Sequence, residues 1–213
     1  MFEKVLSKKA KESLALLGES KILEEAYLAG GTALALQIGH RLSYDFDFFT
    51  RKEFDEKMLV QRIKKVVPEF ELESVSWRTI LGYIQKTRFS LFFYDYSLLF
   101  PSRKFLKINI ADVRDIAPMK IAAISDRGRK RDFIDLFFIV KIKKVLTLEE
   151  VLKLYDKKFK LLKQNKLHVF KSLSYFEDAD KDEMPKMIEK IKWQEVKKFF
   201  KEEPIKLSKS SLK

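Results

Sequence analysis

Two acidic residues one position apart in an aromatic run, Asp45-Phe46-Asp47-Phe48-Phe49, constrain this 213-residue chain more than any other feature. Side chains along an extended strand alternate between its faces, so Asp45 and Asp47 share one face while Phe46 and Phe48 share the other. Two carboxylates side by side and partly desolvated raise each other's pKa unless a cation sits between them. A hard divalent ion suits such a pair: Mg²⁺ prefers oxygen, takes one or two protein carboxylates, and completes its shell with water and substrate phosphates. A solvated strand face is the ordinary alternative for Asp-x-Asp, and the residues upstream weigh against it.

Tyr27, Leu28 and Ala29 read as a short buried strand that runs straight into Gly30 and Gly31, where the backbone must turn or approach a ligand closely. Thr32 can cap the next element. Ala33 to Ile38 are small or straight-chained apart from one Gln, which predicts a short helix ending near Gly39. A helix that starts right after a glycine pair offers backbone amides and the positive end of a dipole, a general means of holding phosphate. Taken alone, Gly-Gly is only a tight turn. Its weight comes from lying 14 residues before Asp45 with a single helix between.

A second dense block spans Asp115 to Val140. Asp115 is placed to cap a helix over about Ala117 to Asp126 that carries Lys120, with Pro118 tolerated near its first turn. Gly128 breaks the chain, and Arg127, Arg129, Lys130 and Arg131 form a cationic turn before a helix over Asp132 to Lys141. Asp132 and Asp135 are three apart and share a face there. A lysine point charge suits a triphosphate. An acid at a helix start can accept a proton from a hydroxyl or orient Lys120; equally, it can stabilise the helix dipole and pair with neighbouring Arg.

Gly30-Gly31-Thr32, Arg41, Ser43 and Asp45-x-Asp47 resemble the first motif of the nucleotidyltransferase superfamily with the DNA polymerase beta type fold, and specifically its AbiEii/AbiGii-type toxin branch. That branch shows a GGTAL segment followed by HR-x-S-x-D-x-D-F. Lys120, Arg131, Asp132, Asp135 and Leu136 resemble its later motifs, a helix lysine with an Arg-rich turn and R-D-x-x-D-L. The resemblance covers roughly residues 25 to 145. It implies an α+β (α/β) fold, a mixed sheet flanked by helices, and transfer of an NMP from an NTP to an acceptor hydroxyl. It also implies catalytic roles for Asp45, Asp47, Lys120 and Asp132, and nucleotide binding by Gly30, Gly31, Thr32, Ser43 and Lys120. Mg²⁺ (or Mn²⁺) on Asp45 and Asp47 would be the cofactor. The toxin half of a type IV toxin–antitoxin or abortive-infection system follows from the same likeness, with RNA, such as a tRNA 3′ end, as acceptor and a cognate antitoxin as partner. Transfer to a small molecule or a protein side chain is the alternative within enzymes. A degenerate nucleotide- or partner-binding protein is the alternative outside them, motivated by Asn109: the family's third carboxylate belongs on a later strand, where this chain has Asn109, with Asp112 just beyond.

Composition adds bounds. Apolar residues make up 46% of the chain, enough for a sizeable core, and the absence of cysteine excludes disulfides and thiolate metal sites. With two histidines, His40 and His168, a histidine-based zinc site is disfavoured. No stretch approaches 18 uninterrupted apolar residues, and the first 17 carry charges where a signal peptide needs an apolar core, so a cytoplasmic protein with no membrane partner is expected. The net charge of +13 suits a nucleic-acid partner, with a Lys-rich solubilising surface as the bland reading.

Elsewhere, the pattern predicts a helix ending at Gly18, a short one over Ser20 to Ala26, and one over Phe54 to Val67 that stops at Pro68. Strands are expected over Leu72 to Trp77, Thr79 to Gln85, Arg88 to Tyr94 and Phe105 to Ile110. From Lys141 onward there are 20 Lys and no Arg against 12 acids, a net of +8. Thr147 to Glu150 is a capping box opening a helix to about Lys160, and further helices are expected over Lys163 to Tyr175 and Met184 to Phe200, with Lys206 to Lys213 frayed. The expected division is therefore a nucleotidyltransferase domain over 1–146 and a Lys-rich helical region over 147–213. Lysine without arginine suits nonspecific phosphate attraction more than base readout.

Overall fold

Local capping starts each early helix. The Ser7 hydroxyl accepts from the Ala10 amide at 3.1 Å to open α1 (Lys8–Glu19), and the Asp55 carboxylate accepts from the Met58 amide at 2.8 Å to open α3 (Glu56–Val66). Both present an apolar stripe, with Leu14 and Leu17 on α1 and Ile63 on α3 fully buried. Residues 1–160 and 166–210 are described by the computed structural model, which separates into two compact units at Asp112/Val113.

The first unit holds the α+β sheet. Its strands are β1 (Ala26–Ala29), β2 (Asp45–Thr50), β3 (Phe70–Ser76), β4 (Thr79–Ile84), β5 (Thr87–Phe93), β6 (Arg103–Phe105) and β7 (Ile108–Ile110), in the order β3-β4-β5-β2-β1-β7-β6. β2 lies antiparallel to β1 and parallel to β5, with Asp47 level with Ala29 on one side and Ser90 on the other. α2 (Gly30–Ile38) links β1 to β2 and ends at Gly39 in the left-handed region, φ 70°. Phe46, Phe48 and Phe89 are fully buried on the face opposite the carboxylates and pack as an aromatic row with Phe70.

Two expectations change here. No helix forms over Ser20 to Ala26; the chain passes through turns, with Lys21 at φ 56°, and enters β1 directly. The expected strand over Phe105 to Ile110 is instead a hairpin. Leu106 and Lys107 both adopt positive φ (49° and 62°), the two-residue turn that joins β6 to β7. An alternating pattern hid the turn because neither residue is a Gly or Asn.

The second unit is helical: α4 (Val113–Arg127), α5 (Lys130–Phe137) continuing as a π-helical turn over Phe138–Ile142, α6 (Leu148–Lys158), α7 (Lys166–Leu173), α8 (Glu177–Lys181) and α9 (Trp193–Ser210). The capping box at Thr147 forms, with the Glu150 amide donating to the Thr147 hydroxyl and the Thr147 amide donating to the Glu150 carboxylate. The boundary falls at Asp112/Val113 rather than at 146/147. α4 packs on α5, α6 and α7, and α9 packs on α5 and α7, so the lysine-rich tail shares one core with the Lys120 helix. Phe133 sits at its centre against Phe176, Trp193 and Phe200. The helix expected from Met184 begins only at Trp193, after an irregular stretch, and it continues to Ser210 rather than fraying from Lys206. The start of the helix expected from Lys163, residues 163–165, and the chain end at 211–213 lie outside the described residues. Among the described residues no helix is long and apolar enough to cross a membrane.

Candidate functional site

The glycine pair and the Asp-x-Asp strand meet. Gly30 sits at φ +66°, a conformation that favours glycine, and a Cβ placed on it would come within 2.7 Å of Asp47 Oδ2. A Cβ on Gly31 would collide with the Arg41 guanidinium and stand 3.1 Å from Ser43 Oγ. The turn is therefore bare because Asp47, Arg41 and Ser43 are pressed against it. Arg41 is a buried cation, 5% exposed. Spacing alone does not place it among the candidate site residues, although its position four residues before Asp45 is an available signal.

Gly30 opens α2 directly, with Ala29, which has no capping side chain, at the N-cap. The expected capping role of Thr32 changes accordingly. Thr32 lies inside the helix, fully buried, where its hydroxyl donates to the Asp45 carbonyl and shares a 2.9 Å hydrogen bond with the Ser43 hydroxyl. One hydroxyl has one proton, so Ser43 is the donor of that second bond. Thr32 and Ser43 together clamp α2 to the head of β2.

Asp45 and Asp47 are half-buried on one face, over the fully buried floor of Phe46 and Phe48. Register places Arg88 of β5 beside Asp45 and Ser90 beside Asp47 on that same face. The sequence carries no local sign of either, since the pairing is parallel and spans some forty residues. Two half-buried carboxylates on one face, with the Ser90 hydroxyl level with Asp47, are oxygen ligands of the kind a hard divalent ion takes. Among the described residues no group of three or more His, Cys, Asp or Glu could hold a metal, so water and phosphate oxygens would supply the remaining positions, as Mg²⁺ ordinarily prefers.

Asn109 is level with Tyr27, which is level with Phe49, one step along the face from Asp47. Its amide nitrogen donates to the Glu24 carbonyl at 2.8 Å, and the Asp112 carboxylate, 3% exposed, accepts from Arg103 Nε at 3.3 Å. Both side chains thus brace the sheet edge. Beyond the carboxylates the same face carries an aromatic run: the Phe49 ring stacks on Tyr27 at 5.9 Å and meets Phe92 and Tyr94, and Tyr94 meets Tyr96. Phe49, Phe92, Tyr94 and Tyr96 are half-exposed and chemically able to stack on bases.

In the second unit Lys120 is 5% exposed and its ammonium lies 2.9 Å from Asp132 and 2.6 Å from Asp135. Arg127 donates to Asp132 through Nε at 3.1 Å. Burial alone would raise the Asp132 carboxyl, but the charges of Lys120 and Arg127 and their hydrogen bonds outweigh it and hold the group below its ordinary value. Asp132 thus pairs with Lys120 and with Arg127 at once. The Arg-rich turn is also engaged within the unit, Arg129 donating to Asp182 at 2.7 Å and the Lys130 amide to the same carboxylate at 3.0 Å. Asp115 is not a cap; fully buried in the first turn of α4, it pairs with the equally buried Lys158 at 2.8 Å.

The family model described as nucleotidyl transferase AbiEii toxin, type IV TA system, matches residues 14–80 and 90–209. An uncharacterized protein of Aquifex aeolicus (strain VF5) is 40% identical over 205 residues, spanning 92% of this chain and 94% of its own. MenT4, a nucleotidyltransferase toxin of Mycobacterium tuberculosis H37Rv, has a similar structure at TM-score 0.51 and 16% identity, covering 91% of this chain and 84% of its own. JHP933 of Helicobacter pylori is similar at TM-score 0.50 and 16% identity, covering 97% and 99%.

Proposed function

Since the chain belongs to the AbiEii nucleotidyltransferase toxin family of type IV toxin–antitoxin systems, we propose that it moves an NMP from an NTP to a hydroxyl of RNA, with a tRNA 3′ end as the favoured acceptor. The observation that carries this reading is the bare Gly30-Gly31 turn pressed against Asp47 at the head of the Asp-x-Asp strand. The first-turn amides of α2 would take nucleotide phosphates, with Arg41 as fixed positive charge beside them, while Ser43, its proton given to Thr32, holds the head of β2 against the turn.

Mg²⁺ or Mn²⁺ on Asp45 and Asp47 would supply charge stabilisation for the phosphates when bound. The acceptor oxygen attacks the α-phosphorus, a new P–O bond forms, the bond to pyrophosphate breaks, and the hydroxyl proton leaves to a carboxylate or to water. Holding the reactants in line is the protein's main contribution. In the second unit Lys120 and Asp132 keep the catalytic roles that the family likeness implies, with Asp132 and Asp135 setting the direction of the Lys120 ammonium. The aromatic run from Phe49 to Tyr96 supports a nucleic-acid acceptor, because ring faces stack on bases irrespective of sequence. The net charge of +13 supports it as well. A cognate antitoxin is the partner that the family implies.

The experiment is incubation with α-labelled NTPs, Mg²⁺ or Mn²⁺ and total RNA, with label followed into RNA, protein and small molecules. Label in RNA supports the acceptor; label in protein or a small molecule keeps transfer and replaces the acceptor. Bound nucleotide with no labelled product under any condition replaces transfer by binding alone.

A further inference from the structure

β3 closes one end of the sheet, and Glu71 through Ser76 are all exposed. The strand is seven residues long, whereas the opposite edge, β6, has three. Apolar side chains gather on it: Leu72 and Val75 are each 40% exposed, and Trp77, in the turn to β4, is 80% exposed. A long edge with exposed apolar side chains is a template for another strand, which proteins normally blunt with lysine, proline, bulges or shortness.

This edge has a bulge between Leu72 and Ser74, and its charge is of the unusual sign. Glu69, Glu71 and Glu73 fall in a stretch with no Lys or Arg between Lys65 and Arg78, on a chain of net +13. Pairing with a second copy would bring Glu71 and Glu73 of two strands together, which like charges oppose. Nucleic-acid phosphate is repelled for the same reason. A cationic strand is attracted.

The turn is built to hold Trp77 out. Arg78 adopts φ 56°, its guanidinium lies 4.4 Å from the Trp77 ring centroid and 4.2 Å from that of Phe93, its amide donates to Glu56 at 2.6 Å, and its side chain pairs with Glu53. The indole is thus braced from below while its other side faces solvent, and exposed tryptophan held this way is the residue type that anchors interfaces. We propose that β3 is a docking edge for an extended, lysine- or arginine-bearing segment of another protein, which adds to the sheet as a further strand with Trp77 as its anchor. This surface lies three strands from Asp45 and Asp47 and does not depend on the catalytic reading.

The test titrates the full chain with a peptide of about ten residues alternating lysine and valine, with a glutamate–valine peptide as control, and follows amide hydrogen exchange and tryptophan emission. Expected are saturable protection of the Glu71 to Ser76 amides and a blue shift that disappears in Trp77→Phe. Affinity should fall roughly tenfold in Glu71→Lys/Glu73→Lys, about 1.4 kcal/mol, and fall again with salt. Nucleotidyl transfer by Glu71→Lys alone, which leaves the pair of Glu73 with Arg88 in place, should be unchanged. Binding without protection of β3, equal binding of the glutamate peptide, or unchanged affinity in the double variant would overturn the proposal. So would sedimentation showing that the free chain dimerises through Trp77.

Discussion

Replacing Gly30 by Ala tests the candidate site with the smallest chemical change available. Two costs can be worked out. At φ +66° an L side chain pays roughly 1–2 kcal/mol. The new methyl would stand 2.7 Å from Asp47 Oδ2, and reaching ordinary contact at 3.4 Å requires a shift of about 0.7 Å. Asp47 is anchored by a strand paired on both sides, with Phe46 and Phe48 buried beneath, so the carboxylate must swing or the turn must lift. A displacement near 1 Å at a reacting centre costs about 100-fold in rate. For a chain of this size each kcal/mol lowers Tm by about 2–4 °C, so Gly30→Ala should melt about 2–8 °C lower. At a temperature where it is fully folded, it should transfer label about 10- to 100-fold more slowly. The assay pairs a thermal melt with labelled NMP transfer at 25 °C. A folded Gly30→Ala with wild-type transfer would refute the role of Asp47 beside this turn. Gly31→Ala separates backbone strain from crowding, because Gly31 lacks a positive φ and its methyl meets Arg41 instead.

Other perturbations bear on the second unit and on the acceptor. The depressed Asp132 carboxyl contributes stability that is fully present above its ordinary value of 3.8 and is lost as pH falls through its folded value. Asp132→Asn should therefore lower the urea midpoint at pH 7, on the order of 3 kcal/mol, with the gap closing below about pH 3.8; an equal gap at pH 3 would contradict this. Lys158→Met leaves Asp115 buried against an apolar neighbour and should cost about 3–5 kcal/mol, whereas Lys158→Met with Asp115→Leu should recover most of it, both read by urea unfolding. Tyr96→Ala should raise KM for RNA several-fold with little change in KM for NTP, since stacking contributes about 1–3 kcal/mol per base; equal changes in both constants would remove the aromatic run from acceptor binding.

The carboxylate face was legible because two periods coincide there: Asp45 and Asp47 alternate with Phe46 and Phe48, and the burial of the phenylalanines enforces the alternation. The strand–turn–helix from Tyr27 to Gly39 was legible for the same local reason, glycine at each place where φ turns positive. What lay outside the sequence is nonlocal or uses residues without a turn signature. Arg88 and Ser90 reach the carboxylates through parallel pairing of β2 with β5, which no short window encodes. The β6–β7 turn at Leu106-Lys107 takes positive φ without Gly or Asn, so it read as continuous strand. The domain boundary misled because surface composition changes at Lys141, whereas the core depends on Phe133 and its aromatic partners Phe176, at the N-cap of α8, and Trp193 and Phe200 on α9. Asp115 and Lys158 show the same effect: a charge in a helix reads as surface until its partner, 43 residues away, neutralises it.

Under the proposed function, Asp45 and Asp47 hold the metal for transfer of an NMP to RNA. Asp45→Asn and Asp47→Asn, each checked for an unchanged melt, should reduce label transfer from α-labelled NTP into RNA to background, while the wild-type chain with Mg²⁺ or Mn²⁺ labels RNA. Wild-type activity in either folded variant would contradict the account.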